Sequence, residues 1–244
     1  TFFTAQVDFE KAGELRNFVD DQQLAAIKGL TPEGYLDGRY MAATFNLLRG
    51  TDLIWNYVVN NYLLGEDPPA FDVLYWNADA TNLSASLMGD FLTIYETLAF
   101  TKKGEVEMVD HKIDLSKVTS DLFILGGVTD HITPWKATYR STQLFGSKDV
   151  TYVLSHSGHM QAILNPPGNP KAKYYIQGDA EKKLPATADE WLKGTEEVAG
   201  SWWPYWIDWV QTRSGKKKKA PAKLGTKEYA PLDPAPGQYV LESC

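Results

Sequence analysis

Two loops hold the residues best suited to chemistry. GGVTDHITPW places Asp130 just past an apolar run at 121–127 (DLFILGG), and SHSGHMQAILNPP places His159 just past a second run at 149–155 (DVTYVLS). A carboxylate that accepts a hydrogen bond from one ring nitrogen of an imidazole fixes its tautomer and leaves the other nitrogen as a base. The same residues have a plainer reading, with Asp130 capping a helix near Pro134 and His159 an ordinary loop histidine; spacing leaves both open. His131, beside the Asp, and His156, one residue past the second run, compete for the base role. His111 lies in a weakly alternating stretch at 105–115 that suggests a hairpin, and reads as a surface residue.

Other chemistries find less support. There is no H-x-x-x-H or H-E-x-x-H spacing for a metal, no Walker motif, no dinucleotide glycine fingerprint and no zinc ligand set. No G-x-S-x-G or G-x-C-x-G elbow occurs either. The single cysteine, Cys244, is not on a strand-to-helix turn and is not displayed as an elbow nucleophile is.

The elements around the two loops explain how they could meet. The run at 121–127, ending in two glycines, reads as a buried parallel strand, 134–146 suits a helix with Pro134 at its start, and 149–155 reads as a second buried strand. This βαβ unit belongs to an α/β sheet, where functional groups gather outside the carboxyl ends of the strands. An Asp followed by a His on the last two such strands is the order of a hydrolase fold, with the nucleophile earlier in the chain. Upstream, 2–9 (FFTAQVDF) reads as a buried strand, and 10–28 as a helix with Leu15, Phe18, Val19, Leu24 and Ile27 on one side. Residues 35–64 read as two helices broken near Gly50 and Thr51, with Thr51 or Asp52 as N-cap. A short apolar run follows at 71–79 (FDVLYWNAD), then a helix at 84–99. From 214 the chain is rich in Lys, Pro and Gly and is expected to be extended; its lysines at 216–219 read as a solvated segment, with an anionic contact as the alternative.

Composition bounds the rest. The 244 residues are 43% hydrophobic and 23% charged, enough for a sizeable core. A formal net charge of −7 argues against a general nucleic-acid-binding surface. One cysteine allows no disulfide within the chain, which suits a reducing compartment. No run approaches the ~18 apolar residues of a membrane-spanning helix, and TFFTAQVDF is not a secretory signal. It opens in what reads as a strand, as though another segment preceded it.

Longer segments carry a resemblance. DLIWNYVVNNYL, FDVLYWNADATNL, GGVTDHITPW, SGHMQAILNPP, GSWWPYW and the closing PAPGQYV, in this order, resemble the C-terminal part of class I polyhydroxyalkanoate synthases. The resemblance implies an α/β-hydrolase fold: a mostly parallel sheet with an inserted, mainly helical cap. It implies core strand and helix at 1–30, cap at 31–104, the C-terminal part of the core at 105–213 and a tail at 214–244. It further implies polymerisation of (R)-3-hydroxyacyl-CoA thioesters into polyester with release of CoA, through a Cys–His–Asp triad. Asp130 and His159 match the family's acid and base, and His131 its histidine beside the Asp. Arg49 and Trp76 match cap positions associated with substrate handling or subunit contact. The family's nucleophilic Cys lies in an elbow upstream of the segment that resembles TFFTAQVDF, so this chain is expected to supply Asp and His only and to be inactive alone. No cofactor beyond the acyl-CoA substrate is implied. A homodimer, and a cytoplasmic location at the polyester granule surface, are implied. The remaining readings are an esterase or depolymerase of the same fold, and a granule-binding or partner subunit without catalysis.

Overall fold

Long runs of leucine, β-branched and aromatic residues seek burial on both faces of a sheet, and the central sheet of this computed structural model is built on two of them. Residues 1–13, 21–29, 31, 33–48, 50–68, 80–178 and 183–242 are described. In chain order the strands are β1 (Phe2–Phe3), β2 (Tyr35–Leu36), β3 (Leu83–Ser84), β4 (Glu107–Met108) and β5 (His111–Lys112). They continue with β6 (Leu122–Gly127), β7 (Val150–Ser155), β8 (Lys173–Gln177) and β9 (Thr195–Ala199). The central sheet has the order β1-β6-β7-β8-β9. β6 pairs in parallel with β1 on one side and β7 on the other. β8 is antiparallel to both of its neighbours. Four of the five strands therefore run one way and β8 alone runs against them. β2 with β3, and β4 with β5, form two small antiparallel pairs, the second being the hairpin expected at 105–115.

The two site strands are neighbours, as their sequences required. Leu122 faces Val150 and Gly127 faces Ser155, six pairs in unbroken parallel register. Every residue of β6 is buried. Period-two alternation splits its side chains between two layers. Ile124, with Tyr152 and Leu154 of β7, packs against Tyr139 and Trp191. Phe123 points the other way, its ring 6.1 Å from those of Trp202 and Tyr205. Each large side chain so buried contributes roughly 1.5–3 kcal/mol. The Trp135–Ser141 helix crosses between the strands and starts directly after Pro134, whose φ of −51° suits a helix entry.

Several expectations need correction. The strand expected over 2–9 stops at Phe3, because Thr4 takes a left-handed backbone conformation (φ 44°) that ends the extended run. No cap forms at Thr51: Gly50 keeps helical angles and no side chain caps the segment. Instead the Gly38–Leu48 helix is followed by wider, π-type windings over Thr51–Trp55 and Val58–Leu63, where Asn56 N–H donates to Thr51 O. The helix expected over 84–99 runs Ala85–Thr97, capped by Ser84. In the 10–28 region a helix spans Asp21–Gly29; Leu15, Phe18 and Val19 lie outside the described residues, as does the 71–79 run. β8 and β9 had no counterpart in the sequence reading. By compactness the chain divides into Thr1–Trp206 and Ile207–Cys244. The second unit, as far as described, is the end of the Trp203–Arg213 helix, an exposed irregular stretch that includes the lysines at 216–219, and one 3₁₀ turn at Tyr239–Leu241.

Candidate active site

β6 ends in two glycines because larger residues do not fit. A Cβ on Gly126 would collide with the Tyr152 and Thr138 hydroxyls. One on Gly127 would sit 2.7 Å from Ser157 O, 3.1 Å from Ala162 Cβ and 3.3 Å from Asp130 Cβ. The loops after β6 and β7 thus close over a bare glycine, and backbone bonds join them: Val128 N–H to Ser155 O at 2.9 Å and Thr129 N–H to Ser157 O at 3.2 Å.

The chain then turns back at Asp130, whose amide donates to Gly127 O at 3.1 Å. The Asp130 carboxylate is buried and fully engaged. Oδ1 accepts from the amides of Ile132 and Thr133, both at 2.9 Å. Oδ2 lies 2.8 Å from the Thr133 hydroxyl and 2.8 Å from His159 Nδ1. Asp130 therefore closes its own turn with one oxygen and meets His159 with the other, and it does not cap the helix after Pro134 as the plainer reading expected. The capped amides belong to the turn at 130–133, while the following helix has Pro134 as N-cap with no side-chain bond. With Asp130 ionised, Nδ1 carries the ring proton and Nε2 keeps its lone pair. The His159 side chain is 24% exposed, so the pair is buried at the carboxylate and open at the imidazole.

Burial pushes the Asp130 carboxyl up. The bonds from His159 and from the Thr133 amide and hydroxyl outweigh it and hold the carboxyl below its usual range. A carboxylate that stays ionised is what the orienting role requires.

His159 opens a helix of five residues, His159–Ile163, following Gly158. So short a helix leaves most of its carbonyls without partners within the helix. The motif GSWWPYW supplies partners for two of them, Trp202 Nε1 donating to Ala162 O at 2.8 Å and Trp203 Nε1 to Ile163 O at 2.9 Å, while the Ser201 hydroxyl donates to Asn165 O just past the helix. The sequence reading missed these three residues and Thr133. The unusual paired tryptophans were the signal for the first group, and a Thr three residues after an Asp for the second.

The other candidates fall elsewhere. His131 sits partly exposed within the turn after Asp130. His156 is exposed, with its ring 6.4 Å from that of Tyr175. His111 is exposed on β5. Arg49, Trp76 and Cys244 lie outside the described residues. Among the described residues no group of three or more His, Cys, Asp or Glu is placed to hold a metal, and no helix is long and apolar enough to cross a membrane. Concavities of about 420 and 310 Å³ include neither Asp130 nor His159; the larger lies at the opposite, amino end of β7, against Lys148, Asp149 and Tyr152.

Comparison with known proteins agrees with this topology. Residues 21–166, which hold β6, β7, Asp130 and His159, match the α/β hydrolase fold family. The chain belongs to that family. Over nearly its whole length this α/β hydrolase fold chain is also similar to several named relatives. It is 47% identical over 242 residues to poly(3-hydroxyalkanoate) polymerase 2 of Ectopseudomonas oleovorans, covering 99% of the chain and 42% of that relative. It is 43% identical to the poly(3-hydroxyalkanoate) polymerase of Methylorubrum extorquens, covering 98% of the chain and 39% of the relative. It is 39% identical to the polymerase subunit PhaC of Cupriavidus necator, covering 98% and 41%. The chain thus spans about two-fifths of the length of these curated relatives.

Proposed function

We propose that this chain is the acid- and base-bearing part of a poly(3-hydroxyalkanoate) polymerase, with Asp130 orienting His159 as general base. The 2.8 Å bond from His159 Nδ1 to Asp130 Oδ2, beyond the carboxyl ends of adjacent parallel strands, carries the reading, and similarity to named polymerases supplies the substrate class. The nucleophile, a Cys, comes from the part of the polymerase outside this chain. In the assembled enzyme His159 Nε2 takes the Cys proton and the thiolate attacks the thioester carbonyl of a (R)-3-hydroxyacyl-CoA. The C–S bond to CoA breaks, and the imidazolium returns its proton to the leaving thiolate. His159, or His131 beside it, then takes the proton of the next unit's 3-hydroxyl. That oxygen attacks the acyl-enzyme, forming the ester and releasing the Cys thiolate. Residues 31–104, with Arg49 and Trp76, act as a cap that excludes water from the acyl-enzyme. A homodimer working in the cytoplasm at the surface of the polyester it makes is part of the same reading, and no cofactor beyond the substrate is needed.

The test is CoA release and polymer yield in a full-length polymerase carrying this chain. His159→Ala and Asp130→Asn should each lower turnover on the order of a thousandfold or more, with the fold retained. Near-normal turnover in either variant would refute the assignment. Free hydroxy acid as the main product, in place of polymer, would favour an esterase.

A further inference from the structure

Thr133 reaches three separate parts of the site. Its hydroxyl oxygen lies 2.8 Å from Asp130 Oδ2, 2.9 Å from the carbonyl of Thr4 and 3.4 Å from His159 Nδ1. Its backbone amide binds the other carboxylate oxygen at 2.9 Å. Thr4 is buried, and its own amide is tied to Leu125 O on β6 at 2.8 Å, so its carbonyl is a fixed point.

We propose that the Thr133 hydroxyl is a positioning group for the acid–base pair, holding Asp130 Oδ2 where it receives the His159 proton and linking that contact to the turn that leaves β1. Amides of the turn fix Oδ1 alone. Those amides restrain the carboxylate through Oδ1, and the Thr133 hydroxyl adds a partner for Oδ2 that does not move with the histidine. A hydroxyl has one hydrogen to give. It donates to Oδ2 or to the Thr4 carbonyl, and the two distances are close enough for either. The hydroxyl can therefore support the carboxylate while the imidazole is neutral and turn to Thr4 when an imidazolium binds Oδ2 more strongly. A β-branched residue suits the task, since its χ1 is stiff and the oxygen stays in place as its hydrogen swings. The consequence for turnover rests on reading His159 as the base; the positioning itself does not.

The ring nitrogens of His159 report on this directly. The ¹⁵N-labelled chain gives two-bond ¹H–¹⁵N correlations for its four histidines, and loss of one set in His159→Gln identifies the relevant signals. Wild type and Thr133→Ser should show a single tautomer at His159, protonated on Nδ1. Thr133→Val, close in shape but without the hydroxyl, should show mixed tautomers at His159 alone, with an unchanged circular dichroism spectrum. Thr133→Ala provides the same comparison if the valine variant does not fold. A single Nδ1-protonated tautomer in the folded variants lacking the hydroxyl would overturn the proposal. So would mixing in the serine variant, which would assign the effect to the methyl group. In a full-length polymerase the valine variant should lower kcat roughly tenfold at unchanged KM. Mixed tautomers without any kinetic loss would uphold the role of Thr133 and count against His159 as the base.

Discussion

Asp130 spends each carboxylate oxygen on a different task, one closing its own turn and one holding His159. Its placement after a buried strand was legible in the sequence, because a continuous apolar run ending in Gly-Gly can be recognised without coordinates. Spacing alone left His131 and His156 as competitors for the histidine it holds; the resemblance singled out His159, and the structure pairs His159 with Asp130. Asp130 should also leave a mark on stability. Folding lowers the Asp130 pKa, so the ionised group adds stability above its unfolded value near 3.9 and loses that contribution as pH falls through the lower folded value. Urea midpoints measured between about pH 2 and pH 7 should therefore drop more steeply on the acid side for wild type than for Asp130→Asn. At pH 7 the variant should be about 1–2 kcal/mol less stable. Parallel acid limbs would show that another group governs the loss.

At the scale of elements, the short His159–Ile163 helix is held from outside by the indoles of Trp202 and Trp203. Trp202→Phe keeps a ring against Phe3 and Phe123 but strands a buried carbonyl at Ala162. It should cost about 1–3 kcal/mol in chemical denaturation, and stability equal to wild type would mean that the carbonyl finds another donor. The elements missed were those with mixed composition. β8 (KYYIQ) and β9 (TEEVA) carry lysine and glutamate at positions facing water, so neither shows the run or the strict alternation that marks a strand. Their pairing is supported across the ladder by Lys173 and Glu197, 3.0 Å apart. Charged side chains on the outermost strand, β9, also discourage further pairing there. β1 was overextended in the reading because nothing in the identity of Thr4 announces its left-handed backbone.

For the molecule as a whole, the bond from His159 to Asp130 spans 29 residues, while the bond from Thr133 to Thr4 spans 129. Loop-closure entropy grows as the logarithm of length, which makes the longer closure costlier by about 1 kcal/mol. The Asp130–His159 pair also lies within a single strand–helix–strand unit, whose contacts are local, whereas the tie to β1 has to wait for a distant segment to arrive. The site should therefore assemble in two stages: the pair forms with the β6–β7 ladder, and its anchor to β1 forms afterwards. Pulsed hydrogen exchange during refolding should show the amides of Val128 and Thr129, which join the two site loops, protected before the amide of Thr4. Simultaneous protection of all three would mean that β1 docks in the same step. On this account an incompletely folded chain already holds a paired aspartate and histidine, and the last step of folding gives that pair its fixed orientation.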